Sequence, residues 1–199
     1  FQKITGSYAF ALGVFAISTV SQSIAEVPTG IISDKLGRRK TMIMSAVFEL
    51  LASLLFSLSG TLLCKSLLII GGIVWGIAEA FASGTDDAFM YETMEELRKS
   101  DKYDIIYARS KTFGQIGLGV GALIAAAITY FYSLVALAWG AVIIHVIPIF
   151  ICLRFVEPKI HNGEDCTSLK HFVIAMKAFL QNKKLRMLST IQMLSHGIS

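Results

Sequence analysis

Three ionisable side chains lie in the middle of long apolar stretches of this sequence: Glu49, Glu79 and His145. A charge within a membrane span costs about 3 kcal/mol or more, so such a residue has either a partner or a function. A carboxyl group in a dry site holds a proton readily, and imidazole titrates near neutral pH. We therefore interpret the three residues as candidates for proton or substrate coupling. The alternative for each is a buried side chain with a permanent hydrogen bond.

Four more charged residues lie close to the ends of the apolar stretches. Asp86 and Asp87 are adjacent, so on a helix they point about 100° apart and cannot both face one cavity. One of them can pair with Arg109, at the start of the next apolar stretch, and Glu26 can pair with the arginines at positions 38 and 39. We interpret Glu26, Asp86, Asp87 and Arg109 as a candidate latch between helix ends.

The composition explains where these residues must lie. Hydrophobic residues make up 54% of the chain and charged residues 16%, against roughly 25% charged in an average soluble domain. A membrane-spanning helix needs about 20 mostly apolar residues, and helix is the state that satisfies the backbone in lipid. The sequence therefore predicts an all-α membrane protein with five full spans and the start of a sixth near Leu185. The five spans are residues 7–32, 41–60, 67–91, 105–132 and 134–155.

Arg and Lys residues concentrate in three of the connections between these spans. Residues 34–40, 98–111 and 154–186 hold sixteen of the 18 basic residues, and the other connections are short and nearly uncharged. By the positive-inside rule the basic connections face the cytoplasm, which is also where the candidate latch lies. This bias explains the net charge of +4. We expect a multi-pass protein of the cell membrane, with the lipid bilayer as a partner and no nucleic acid.

The sequence offers little for metal or covalent chemistry. Cys64, Cys152 and Cys166 are widely spaced and form no CxxC pair, so neither a zinc site nor a disulfide framework is predicted. There is no metal-type His/Asp cluster, no GxSxG nucleophile motif and no phosphate-binding glycine loop. We expect no enzyme activity, no metal and no cofactor.

The basic connection at residues 30–40 has a distinctive composition, GIISDKLGRRK. Gly30 lets helices approach closely, and Gly37 permits a turn that few other residues tolerate. Asp34 can accept hydrogen bonds at a helix N-terminus, and the cations stay at the anionic leaflet. An ordinary positive-inside loop explains the cations but neither Asp34 nor the glycines. The residues that stand out are Gly30, Asp34, Gly37, Arg38, Arg39 and Lys40.

This loop resembles the signature of the major facilitator superfamily, in which Gly, Asp, Gly, Arg and Arg or Lys recur between the second and third helices. EVPTG at residues 26–30, which we expect to end the preceding helix, and SGTDDAFMYE at residues 83–92 resemble segments of a bacterial subgroup. The resemblance implies that residues 1–156 are helices two to six of an N-terminal bundle, incomplete in this chain. It also implies a gating role for the loop, which in the family locks the outward-facing state.

The remainder of the chain fits the same resemblance. It implies that residues 157–184 are the cytoplasmic central loop and residues 185–199 the start of helix seven. Apolar residues recur at helical spacing over residues 168–180, which predicts an amphipathic helix on the membrane surface, with a partner-binding helix as the alternative. We expect a chain that is cut at both ends and that does not transport by itself.

In function, the resemblance implies secondary active transport of a small solute by alternating access, with two bundles around a midplane site. We expect coupling to protons, with antiport and efflux as one mode, in a bacterial inner membrane. A non-transporting receptor or scaffold on the same fold is the alternative, because fold does not fix function. Sequence does not identify the solute or the direction of transport.

Two departures from the family pattern count against antiport and drug efflux. The fourth helix lacks the Arg that many proton-coupled members carry, and the fifth lacks the Gly-Pro pair of drug–proton antiporters. The fifth helix does contain small residues at spacings that favour close helix packing. These are Gly114, Gly117, Gly119 and Gly121.

Overall fold

The computed structural model describes residues 6–158, all within the compact unit Phe1–Asn162. These residues form six α-helices and one short 3-10 helix. Short connections join the helices, and within this range no strand occurs. In chain order the helices are α1 (Tyr8–Leu36), α2 (Arg38–Leu62), α3 (Lys65–Ala82), α4 (Thr85–Glu96), the 3-10 helix (Ser100–Lys102), α5 (Tyr103–Phe131) and α6 (Leu134–Arg154).

Small residues let α3 pack closely against α1 and α2. A Cβ atom added at Gly76 would overlap the backbone of α1 at Ser18, so only glycine fits this crossing. The Thr29 hydroxyl of α1 donates to the Ala80 carbonyl of α3 at 3.0 Å. The Ser45 hydroxyl of α2 donates to an α3 carbonyl, also at 3.0 Å. Helices whose backbones approach this closely gain van der Waals contact and interhelical hydrogen bonds. Both drive the association of helices in lipid.

The bundle places small polar side chains inside and large apolar ones outside. Thr41, Ser57 and Ser59 have no exposed surface, whereas Phe15 and Ile143 are each 72% exposed. A water-soluble protein has the opposite arrangement. Within residues 6–158, five helical segments are long and apolar enough to cross a membrane. The predicted all-α membrane class is thereby confirmed.

The first connection differs from its prediction. We expected the helix to end at residues 26–30, but α1 continues through Pro28 to Leu36. A proline removes one backbone hydrogen bond and kinks a helix without having to end it. The predicted loop is therefore mostly helical, and Gly37 alone separates α1 from α2.

The predicted third span is also divided. Ser83 and Gly84 interrupt it, and Gly84 has a φ of 74°, in the left-handed region that glycine adopts readily. The α3 helix therefore ends at Ala82 and α4 begins at Thr85. The predicted amphipathic helix at residues 168–180 and the span from Leu185 lie outside the described residues.

The α5 helix is the least packed element. None of its residues is buried by the rest of the described bundle. A Cβ added to any of its four predicted packing glycines, or to Gly30 of α1, would meet no described atom within 4 Å. The predicted close approach of helices is therefore wrong for these positions within residues 6–158, and glycines of α3 make the close contacts instead.

Candidate functional site

Gly37 forms a sharp corner between α1 and α2. Its φ of 92° and ψ of 160° lie in a region that side chains other than glycine rarely adopt. A Cβ at this position would also lie 2.5 Å from the Glu157 Oε1 atom. The corner is held by the Gly37 amide, which donates to the Ser33 carbonyl at 3.0 Å. The backbone conformation requires glycine here, and a side chain at this position would also displace the Glu157 carboxylate.

The Glu157 carboxylate caps the N-terminus of α2. The Arg38 amide donates to Glu157 Oε1 at 2.5 Å, and the Arg39 amide donates to Oε2 at 2.9 Å. The first amides of a helix have no partner within the helix, and a negative charge there is favourable for the helix dipole. We expected Asp34 to accept such bonds, but it lies in the last turn of α1, and Glu157 has this role instead.

Arg38 connects three helices. Its Nε atom contacts Glu92 Oε1 of α4 at 3.0 Å, and Nη1 contacts Asp34 Oδ1 at 3.1 Å. Nη1 also donates to the Ser33 hydroxyl at 2.9 Å. The Arg38 and Glu92 side chains are 17% and 15% exposed, so this ion pair is largely shielded from water. A guanidinium group suits this position because it presents several donors in a fixed geometry.

The Arg39 side chain binds the C-terminal end of α6. Its Nη2 atom donates to the Leu153 carbonyl at 2.8 Å, and Nε to the Cys152 carbonyl at 3.5 Å. Both carbonyls lie in the last turn of α6, where a cation is favourable for the helix dipole. Consecutive arginines thus connect α2 to α1 and α4 on one side and to α6 on the other.

We call these contacts the Arg38–Arg39 network and the end of the bundle that contains them the basic end. Three predicted residues of the loop, Asp34, Arg38 and Arg39, form hydrogen bonds in this network. Gly37 forms the corner that joins the helices on which they lie. Lys40 is exposed and lies outside it. The members of the network are Ser33, Asp34, Arg38, Arg39, Glu92 and Glu157.

The predicted latch is replaced by a different pair. Asp87 Oδ1 contacts Lys111 Nζ of α5 at 3.2 Å, not Arg109, which is exposed. The Tyr107 hydroxyl donates to Asp87 Oδ2 at 3.3 Å. Asp86 points elsewhere, as expected for an adjacent helical residue. The predicted pairing of Glu26 with loop arginines is not seen within residues 6–158 either. The Arg38 side chain binds Asp34 and Glu92, the Arg39 side chain binds carbonyls of α6, and Glu26 is exposed.

Two cavities lie along the inside of the bundle. The distal cavity, of about 510 Å³, is farther from the basic end and is lined mostly by apolar residues with His145 and Trp75. The basic-end cavity, of about 250 Å³, contains Glu49 and Asp86. Glu79 lies one turn after Trp75 on α3 and is half-buried, but it lines neither cavity. Of the three predicted coupling residues, His145 therefore lines the distal cavity and Glu49 the basic-end cavity.

Within the described residues, no three His, Cys, Asp or Glu side chains converge in a way that could hold a metal ion. The chemistry available inside the bundle is that of carboxyl and imidazole groups. These groups exchange protons near neutral pH when their surroundings favour it.

Two members of the network, Glu92 and Glu157, were not predicted from the sequence. Glu92 stood in a recognised segment but was not assigned a role, and Glu157 was not considered. A signal for Glu157 was present, because a lone carboxylate directly follows the last full span and precedes Pro158. Its partner could not be read from the sequence, since 119 positions separate it from Arg38.

The comparisons with known proteins agree with the fold. No curated protein and no solved structure matches the chain. A sequence model of the Major Facilitator Superfamily matches residues 2–196, which is nearly the whole chain and includes both cavities and the Arg38–Arg39 network. The chain therefore belongs to the Major Facilitator Superfamily, and it is a multi-pass membrane protein of a family that transports solutes across membranes.

Proposed function

We propose that the chain forms one helical bundle of a secondary transporter that moves a small solute by alternating access and couples this movement to protons. The observation that carries the proposal is the Arg38–Arg39 network. It fixes the basic ends of α1, α2, α4 and α6 to one another, so that this end moves as a unit. Alternating access by rocking bundles requires such rigid units.

The network is suited to this role because its contacts are partly shielded and directional. Charge-assisted hydrogen bonds are about twice as strong as neutral ones, and the Nε and Nη1 atoms of Arg38 bind carboxylates of two different helices. Glu157 and Arg39 also compensate the ends of α2 and α6. We propose that these bonds keep the bundle intact while it rocks against a second bundle.

We further propose that the basic end faces the cytoplasm of a bacterial inner membrane. The excess of Lys and Arg in the connections at this end supports this orientation under the positive-inside rule. Cysteine substitution at exposed Lys40 and at Ser133, at the opposite end, tests it in a chain whose own cysteines (Cys64, Cys152 and Cys166) are replaced by serine. A membrane-impermeant thiol reagent added outside intact cells should label position 133 and not position 40.

Transport is tested with the complete protein in liposomes. An imposed proton gradient should drive flux of at least one member of a panel of radiolabelled sugars, amino acids and organic cations. The variant Arg38→Ala should reduce the rate at least about tenfold, because its bundle end loses three contacts, whereas Lys40→Ala should retain it. If no solute moves under any gradient, the transporter proposal fails and a receptor or scaffold role takes its place.

A further inference from the structure

The distal cavity lies inside one bundle, where residues of α1, α2, α3 and α6 surround it. Its volume of about 510 Å³ is in the range of pockets that bind small molecules. Small side chains on two of the helices leave this space open. They are Ala11 on α1 and Ala138 and Ala141 on α6.

Aromatic rings form much of the wall of the distal cavity. The centroids of the Phe56 and Trp75 rings are 6.5 Å apart. The Trp75 ring meets the His145 imidazole at 83°, with 6.2 Å between centroids. Rings at such distances attract one another through offset or edge-to-face contacts, and a further flat ring gains the same contacts. The wall therefore favours an aromatic ligand.

His145 presents a hydrogen-bond acceptor in this wall. Its Nδ1 atom lies 2.7 Å from the Ala141 carbonyl oxygen, one turn earlier on α6. A carbonyl can only accept, so Nδ1 carries the hydrogen, and Nε2 of the neutral ring keeps a lone pair. Trp75 carries an indole N–H, which suits the oxygen of a hydroxyl group. A ligand hydroxyl can thus donate to one of these residues and accept from the other.

The two serines of the lining also present acceptors. The Ser18 hydroxyl donates to a carbonyl of α1 at 2.7 Å, and the Ser53 hydroxyl donates to a carbonyl of α2 at 2.9 Å. Because both hydrogens are engaged within their own helices, the oxygens offer lone pairs to the cavity. The polar part of the lining therefore suits a ligand that donates a hydrogen bond.

Charge and access restrict the ligand further. The described residues that line the cavity include no Asp, Glu, Lys or Arg, and a charge buried without a partner is costly. Phe15 lines the cavity and is 72% exposed in the described bundle, so the cavity opens at the side of α1. This opening lies within a membrane-spanning segment. An entering ligand must therefore be uncharged and soluble in the bilayer.

We propose that the distal cavity binds a small uncharged phenol. The ring of the phenol lies against Trp75 and Phe56, and its hydroxyl donates to Nε2 of His145. This site goes beyond the proposed function, because binding requires no transport and the phenol is not assigned as the transported solute. His145 acts here as a hydrogen-bond acceptor for a ligand and releases no proton.

Fluorine NMR of the complete protein, labelled with fluorotryptophan in lipid nanodiscs, tests the site. The Trp75 resonance is assigned by its loss in Trp75→Phe. Addition of para-chlorophenol should shift this resonance and saturate. Trp139, which donates to Thr61 and does not line the cavity, should show no saturable shift. The probe para-chloroanisole has the same ring without the hydroxyl hydrogen and should bind at least about fivefold more weakly, since it forms one hydrogen bond fewer.

Three variants separate the parts of the site. His145→Phe keeps a ring against Trp75 but removes the acceptor, so the two probes should bind it equally. Ala138→Phe fills the cavity and should abolish the saturable shift for both probes. Ala136→Phe makes the same change at an exposed position of α6 and should leave binding unaltered.

A Trp75 shift that does not saturate overturns the proposal, since residues beyond the described range would then occupy the cavity. Equal affinity of the two probes for the unmodified protein overturns the role of His145. Saturable binding that persists in a folded Ala138→Phe variant places the phenol elsewhere and also refutes the site. None of these results depends on solute flux, so failure of this site and failure of the proposed transport are distinguished.

Discussion

Two glycine-rich helices of this protein have opposite surroundings. In α3, a Cβ at Gly76 would overlap the backbone of α1, and 39% of the most apolar window of the segment Lys65–Glu96 is buried. In α5, a Cβ at Gly117 would meet no described atom within 4 Å, and the corresponding window of Ser100–Phe131 is 0% buried. The same residue type thus marks a tight crossing in one helix and an open face in the other.

The difference extends to charges and hydroxyl groups. The Arg38–Glu92 pair is shielded, whereas the side chains of Lys111 and Asp87 are 58% and 45% exposed. The contribution of an ion pair to the stability of the bundle therefore depends on how far its surroundings shield it from water, and not on its chemical type alone. Matched substitutions in the two regions measure this contrast.

The largest effect is expected at the helix crossing. Gly76→Val should lower the free energy of unfolding in bicelles by about 3 kcal/mol, because α1 and α3 must separate to admit the side chain. Gly117→Val makes the same change in helix propensity on the open face and should cost less than about 0.5 kcal/mol. An equal loss for both variants would mean that α5 packs tightly against residues outside the described range.

A smaller effect is expected from the shielded ion pair. Arg38→Ala should cost about 2 kcal/mol, since it removes the contacts with Ser33, Asp34 and Glu92 at once. Lys111→Ala should cost no more than about 0.5 kcal/mol, because its pair with Asp87 is solvated. Urea-induced unfolding of detergent-solubilised protein measures both. Similar losses would show that shielding does not distinguish the pairs.

Substitutions of acidic residues at helix N-termini should differ less in their effect on stability than the two ion-pair substitutions. Glu157→Gln keeps one acceptor at the N-terminus of α2 but removes the charge, and should cost about 1 kcal/mol. Asp104→Asn removes an exposed charge from the first turn of α5 and should change the midpoint of thermal unfolding very little. The expectation fails if the Asp104 variant is destabilised as much as the Glu157 variant.

The smallest effect is expected from single hydroxyl groups. Thr29→Val deletes the interhelical bond to Ala80 and should cost about 0.6 kcal/mol, the average for such bonds in membranes. Thr112 of α5 donates within its own helix, to the Ala108 carbonyl at 2.8 Å, so Thr112→Val should leave the free energy of unfolding nearly unchanged. A greater loss in the α5 variant would reverse the comparison.

Local signals predicted the elements well and their ends less well. Length and hydropathy located the spans because a helix in lipid must be long and apolar. They placed a loop at residues 30–36, where α1 in fact continues, because Pro28 and Gly30 are usual markers of helix ends in water. They also joined α3 and α4, since the break at Gly84 is a left-handed conformation that leaves no mark in hydropathy.

Among the site residues, those that stand together in the sequence were predicted well, and their pairing partners were not. Asp34, Gly37, Arg38 and Arg39 stood out by type and spacing, and the structure brings them together. Arg109 and Glu26 were given partners by proximity in sequence, and both assignments were wrong because side-chain direction decides pairing. Glu157 illustrates the opposite error, since its partners are distant in sequence and close in space.

By itself, the sequence determined that the chain is helical and crosses the membrane, and which connections are basic. These properties follow from hydropathy and from charge near the spans, which act locally along the chain. Only the tertiary structure decided that Glu157 caps α2, that Arg39 binds the end of α6, and that His145 and Glu49 line adjoining cavities. Such relations depend on the direction and crossing of whole helices, and the packing of small residues at the α1–α3 crossing sets part of that geometry.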